Sequence, residues 1–209
     1  MITKEVYKRH LIERHGEQVQ AKLENASVGI AGLGGLGSNI ALALARLGIR
    51  RLILVDFDCV ELSNVNRQAY FLKHIGMPKT IALNTLIKEV NPFVEVVLHH
   101  KRVTRENALS LFEDLDVLVE AFDEPASKAA LIETMLIRSK IPLVAASGMA
   151  GSLSSNTIVT TKMRERFYLC GDKRTDSQDV NGLMVPRVLV AASHQANMVL
   201  RLLLGEKTV

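Results

Sequence analysis

Val28-Gly29-Ile30-Ala31-Gly32-Leu33-Gly34-Gly35-Leu36-Gly37 is the stretch that decides the fold. Its first four residues are a short apolar run and read as a buried strand. The run passes straight into Gly32, Gly34 and Gly37, a G-x-G-x-x-G pattern. Residues 38–47 beyond it are rich in alanine and leucine and read as a helix, closed by Gly48. Residues 52–55 are the next strand. Strand, glycine turn, helix and strand make a βαβ unit, which requires a parallel sheet at this point.

Toward the N-terminus, residues 3–15 read as a helix with Val6, Tyr7 and Leu11 at helical spacing, stopped by Gly16. Residues 17–25 read as a second one, so 1–26 form a helical arm. Toward the C-terminus the alternation continues. Helices are expected over 78–90, 104–112 (with Thr104 as N-cap), 125–139 and 186–204. Strands are expected over 94–99, 116–120, 143–146 and 154–160, and a loop region over 166–185. The expectation is one Rossmann-like, doubly wound α/β domain spanning 1–209, with a mostly parallel sheet and the helical N-terminal arm.

Composition narrows the function classes. Of 209 residues 48% are apolar, which suits a substantial core. No run of about eighteen uninterrupted apolar residues occurs, so no membrane span is expected. The charged N-terminus lacks the apolar segment of a secretory signal, and a cytoplasmic location is expected. Cys59 and Cys170 lie far apart, outside any C-x-x-C pair, so neither a disulfide framework nor a four-cysteine zinc site is expected. The net charge of +4 suits an anionic ligand, but no Lys/Arg block stands out and nucleic acid is not favoured as a partner.

The glycine turn carries the first chemistry. Glycines let phosphate oxygens approach backbone N–H groups, and the following helix N-terminus adds about half a positive charge. Asp56, at the end of the second strand, can accept hydrogen bonds from ribose hydroxyls. The turn alone does not separate NAD, FAD and ATP. The polar stretch from Asp56 through Asp58, Ser63, Asn64, Asn66, Arg67 and Gln68 to Lys79 points to ATP, because a triphosphate needs cations. Arg67 offers a planar fork for phosphate oxygens, Lys79 a point charge, and Asn64 a donor. Asp123, just past the fourth expected strand, stands where open α/β sheets bind ligands and could hold Mg²⁺. On composition alone, Lys79 could also be a surface lysine and Asp123 a residue leading into a helix.

These residues resemble the ThiF/MoeB family, bacterial relatives of the ubiquitin-activating enzymes. The likeness lies in Gly32 to Gly37, Asp56-Phe57-Asp58, Val60, Ser63-Asn64, Asn66-Arg67-Gln68 and Lys79. Met184 to Val188 with His194-Gln195-Ala196 resembles a short ThiF-like branch. The resemblance implies adenylation of the C-terminal glycine of a sulfur-carrier protein ending in Gly-Gly, in thiamine biosynthesis. It implies that Gly32, Gly34, Gly35, Asp56, Asn64, Arg67 and Lys79 bind ATP and that Asp123 holds Mg²⁺. It also implies that Arg9 reaches the ATP of a neighbouring subunit, hence a homodimer. Without the resemblance, Arg9 reads as a solvated charge.

The chain departs from the family pattern in places. Only Cys170 remains where relatives carry zinc-binding pairs, and zinc is expected to be absent. Glu124, Lys128 and His10 replace asparagine, arginine and glutamine. Cys170 reads either as a sulfur-handling nucleophile or as the remnant of a lost zinc site. The alternatives for function are adenylation of another carboxylate (on a MoaD-like carrier, a modified tRNA or a peptide) and a non-catalytic ATP-binding scaffold.

Overall fold

Ser27–Ala31 forms β1, buried at every position. Both of its faces are covered, which is why it is continuously apolar instead of alternating. The other strands are β2 Arg51–Val55, β3 Glu95–His99, β4 Val117–Glu120, β5 Leu143–Ala146, β6 Val159–Arg164 and β7 Phe167–Gly171. The helices are α1 Lys4–His15, α2 Glu17–Leu23, α3 Gly37–Arg46, α4 Lys79–Val90, α5 Ala108–Leu111, α6 Pro125–Arg138 and α7 Val185–Leu203. The structure, a computed structural model, describes residues 2–176 and 182–209.

Among the described residues the strands form one seven-stranded sheet in the order β3-β2-β1-β4-β5-β7-β6. All neighbours pair in parallel except β6, which runs antiparallel to β7 at the edge. Alternate strand residues serve opposite layers. Val28, Ile30, Leu52, Leu54, Val119 and Val144 pack in one core with α3, α4 and α7. Ala31, Ile53, Val55, Leu118 and Leu143 pack in the other with α5 and α6. This is the doubly wound α/β, Rossmann-like architecture expected from the sequence.

The strand order reverses at β1. The chain moves outward to β2 and β3, then returns to place β4 on the other side of β1. A crevice opens at the carboxyl ends of β1 and β4, the position at which such sheets take ligands. The glycine turn closes the near side of that crevice. Gly32 has φ of 90°, and a Cβ on it would stand 2.8 Å from the Ala121 carbonyl oxygen. A Cβ on Gly37 would stand 1.9 Å from the Gly32 carbonyl oxygen, so α3 can start this close to β1 only with glycine there.

The helical arm is loosely attached. α1 has no buried residue. It is held by the Lys8–Glu24 ion pair at 2.6 Å, by Tyr7 against Phe93, and by the Tyr7 hydroxyl, which donates to the Val90 carbonyl at 3.3 Å.

Three sequence expectations are corrected. Residues 155–157 form a 3₁₀ turn, and the strand there is Val159–Arg164, shifted from the expected 154–160. The expected loop over 166–185 contains β7, and residues 177–181 of it lie outside the described residues. Charged Arg164, Glu165 and Arg166 hid that hairpin, because an edge strand may be polar on its open face. The helix expected over 104–112 shrinks to one turn, Ala108–Leu111, with Thr104 outside it and Asn107 bonding the residues before it. Its Oδ1 accepts the Thr104 N–H at 2.8 Å, and its Nδ2 donates to the Arg102 carbonyl at 2.9 Å.

Gly37→Ala should destabilise the protein by about 1–3 kcal/mol through overpacking against backbone. Urea unfolding of the two proteins side by side measures it; equal midpoints would refute the contact.

Candidate functional site

Leu33, the second residue of the glycine turn, has both backbone groups taken. Its N–H donates to Asp56 Oδ2 at 2.7 Å, and its carbonyl accepts from the Tyr70 hydroxyl at 2.9 Å. Both partners are buried, Asp56 at 7% exposure and Tyr70 at 2%. Asp56 Oδ1 also accepts the Asp58 N–H at 2.8 Å. Asp56 therefore braces the turn as well as facing the cavity, a role that motif reading missed. Burial pushes its carboxyl above the usual carboxylate range, against the pull of Lys79 and the two N–H groups.

The first turn of α3 stitches the glycine turn to the loop that follows β2. The Ser38 hydroxyl donates to the Gly34 carbonyl at 2.6 Å and accepts the Ala69 N–H at 3.1 Å. Asn39 Nδ2 donates to the carbonyls of Gly35 at 2.7 Å and Arg67 at 3.3 Å. Arg67 is thereby held against the turn. Its Nη1 donates to the Ser63 carbonyl and to Asn66 Oδ1, each at 2.9 Å, leaving its other guanidinium donors for a ligand.

One cavity of about 530 Å³ lies over these groups. Gly32, Gly34, Gly35, Asp56, Arg67, Lys79 and Asp123 all line it, so seven residues singled out in sequence from well-separated segments meet in one space. Asp123 is exposed, and among the described residues its carboxylate has no hydrogen-bond partner. Lys79 differs from the free point charge expected: it is only 6% exposed, and its ammonium sits 2.8 Å from Asp58 Oδ2.

Three expected residues stand elsewhere. Asn64 does not line the cavity. Its Oδ1 accepts the Glu61 N–H at 3.1 Å and its Nδ2 donates to the Ser63 hydroxyl at 3.3 Å, so it shapes the loop that carries Arg67. Arg9 is exposed on α1, away from this cavity, and has no partner among the described residues. Cys170 is fully buried on β7, where burial pushes its thiol up to about 11. Burial of that kind works against a reactive thiolate. The Cys170 Sγ lies 3.5 Å from the Thr160 hydroxyl, which in turn meets His194 Nδ1 at 3.0 Å.

Gln68, from the polar stretch, also lines the cavity; it is 9% exposed, and its Oε1 is unpartnered among the described residues. Lys128 and, announced by no motif, Lys101 and Arg102 bring further cations. The Arg102 guanidinium lies 3.9 Å from the centre of the Phe57 ring, a cation–π stack at the rim. Thr175, Asp176, Leu183 and Val188 border the side nearest the segment between β7 and α7. A buried ion pair clamps the two ends of that segment: Asp172 Oδ2 accepts from Arg187 Nη2 at 2.5 Å, with side-chain exposures of 5% and 4%. Burial works against the Asp172 carboxylate. The N–H groups of Thr175 and Arg174, the Thr175 hydroxyl and Arg187 outweigh it and hold the carboxyl below the usual range.

Residues 7–209 match the model described as the ThiF family. The adenylyltransferase and sulfurtransferase MOCS3 of Anopheles gambiae is 39% identical over 145 residues, 68% of this chain and 33% of that protein. The adenylyltransferase and sulfurtransferase uba4 of Aspergillus niger is 36% identical over 150 residues, 69% of this chain and 31% of that protein. The chain thus spans about a third of the length of these curated relatives. Among solved structures, tRNA N6-threonylcarbamoyladenosine dehydratase of E. coli in complex with ATP superposes with a TM-score of 0.86 at 23% identity, covering 98% of this chain and 97% of that one. E. coli MccB with ATP gives 0.73 at 22% identity, covering 91% of this chain and 59% of that one. At these identities the structures establish the fold alone. Among the described residues, no helix is long and apolar enough to cross a membrane.

Asp172→Asn should lower stability by about 3–5 kcal/mol at neutral pH, because it leaves Arg187 buried without its counter-ion. The contribution of a carboxyl with a depressed folded pKa is complete above its unfolded value, about 4, and is lost as pH falls through the lower folded value. The gap between the two proteins in urea unfolding should therefore narrow with acidification. A gap that stays constant from neutral pH to well below 4 would contradict the assignment.

Proposed function

The chain belongs to the ThiF family, and from that premise we propose that it is an ATP-dependent adenylyltransferase. Its acceptor is the C-terminal glycine carboxylate of a ubiquitin-like, ThiS-like sulfur-carrier protein ending in Gly-Gly, in thiamine (thiazole) biosynthesis. One observation carries the reading: a single cavity at the sheet's switch point gathers the glycine turn, Asp56, Arg67, Lys79 and Asp123. Relatives named as adenylyltransferases support it.

The division of labour follows from the geometry. Asp56 receives the ribose, and the glycine turn with the N-terminus of α3 receives phosphate oxygens. Arg67 directs its remaining donors to the phosphates, and Lys79 adds positive charge tempered by Asp58. One carboxylate oxygen of the acceptor attacks the α-phosphorus, and pyrophosphate leaves with the electrons of the broken P–O bond. The nucleophile is ionised near pH 7, so no general base is required. Positioning and charge stabilisation are the main tasks. The unpartnered Asp123 carboxylate suits a hard cation that keeps several waters, and Mg²⁺ bound there would shield phosphate charge. Arg9 serves the site of a second subunit in a homodimer; its exposure on a loosely held arm supports that role.

A second reading keeps the chemistry and changes the acceptor to a carboxylate on a modified tRNA. The fold shared with the tRNA-modifying dehydratase and the net charge of +4 support it.

Exchange of labelled pyrophosphate into ATP tests both. Exchange should depend on a Gly-Gly carrier, assayed with ThiS-like and MoaD-like proteins side by side, and modified tRNA serves as the competing acceptor. Arg67→Ala and Asp123→Asn should each slow exchange by about 10²–10³ while leaving the circular dichroism spectrum unchanged. Absence of exchange with every acceptor would sink the proposal.

A further inference from the structure

The cations that line the cavity are unevenly placed. Arg67, Lys79, Lys101 and Arg102 belong to segments that follow β2 and β3. On the β4–β5 side the lining includes Asp123 and Glu124; Glu124 lies 3.8 Å from Arg102, and Lys128 is the cation that this side itself contributes among the described residues. An incoming carboxylate would meet like charge on that side unless something offsets it.

Lys128 is built into place. Its ammonium donates to Glu120 Oε2 at 2.6 Å and to the Ala146 carbonyl at 2.9 Å. Glu120 is fully buried, and its other oxygen accepts the Phe122 N–H at 2.7 Å. An ammonium has three N–H donors, and these two contacts occupy two of them. The Lys128 side chain retains 22% exposure and lines the cavity, so the third donor has open space before it.

We propose that Lys128 is a binding residue for the acceptor, donating its third N–H to the acceptor's carboxyl oxygen as the carboxylate meets the α-phosphate. This inference rests on the adenylation reading. The carboxylate's attacking oxygen bonds to phosphorus and pyrophosphate departs. The other oxygen becomes the acyl carbonyl, and Lys128 holds that oxygen before and after the step. Glu120 and the Ala146 carbonyl keep the ammonium from turning toward the departing pyrophosphate.

Calorimetric titration with two probes tests it without an acceptor protein. One is 5′-O-sulfamoyladenosine; the other carries an added N-acetylglycyl group and mimics the acyl adenylate. Lys128→Met alone would strand Glu120 without its counter-ion, so the informative variant is Glu120→Gln with Lys128→Met, which removes the buried pair together. The parent should prefer the acylated probe. The double variant should lose about tenfold or more of that preference while binding sulfamoyladenosine as the parent does. Glu120→Gln alone, which keeps the ammonium, should retain the preference. Three results would overturn the inference: a parent with no preference, a double variant that keeps it, or Glu120→Gln losing as much as the double variant. A parent that binds neither probe and does not bind ATP would instead overturn the adenylation reading, and this inference with it.

Discussion

The carboxylate of Asp56 beneath the glycine turn is the contact on which the rest of the site depends. It holds the Leu33 N–H from one side while Tyr70 holds the Leu33 carbonyl from the other. Leu33 is itself fully buried, so the turn is anchored by packing and by hydrogen bonds at one residue. A turn rich in glycine would otherwise keep much of its conformational freedom, and ordering it on binding would weaken every phosphate contact. The same carboxylate ties the end of β2 to the end of β1. A ribose and a phosphate held there as proposed would be placed relative to one another by a single side chain.

Around that anchor, several buried cations come paired. Lys79 sits with Asp58 and Lys128 with Glu120 in the cavity wall, and Arg187 sits with Asp172 beside it. Bringing a lone charge into a site this buried is costly, and a counter-ion with good hydrogen bonds offsets the desolvation. Pairing also lowers the effective charge that each cation offers a phosphate. Arg67 is different: among the described residues its contacts are to a carbonyl and an amide oxygen, so no carboxylate offsets its charge.

The outline of this arrangement was legible in the sequence for a physical reason. A buried parallel strand must be apolar throughout, a tight turn against phosphate needs glycine, and a helix begins after it; all three are local demands. Asp56, Arg67, Lys79 and Asp123 stand out because they are polar residues at the ends of apolar runs. Lys101 and Arg102 did not, because each lies in a loop where a polar residue is ordinary. For Asn64 the sequence does not separate a ligand contact from a loop-shaping one, because an amide near a phosphate loop looks the same in both.

By itself, then, the sequence determined the doubly wound sheet, the glycine turn and the family, since these follow from short-range patterns of polarity and size. Only the tertiary structure decided which charges share a space, which of them are neutralised, and which polar side chains are scaffolding. Those depend on the reversal of strand order at β1, which brings segments nearly a hundred residues apart, such as Gly32 and Asp123, to the walls of one cavity. No local pattern records that juxtaposition, because it is set by how the strands pair across the sheet.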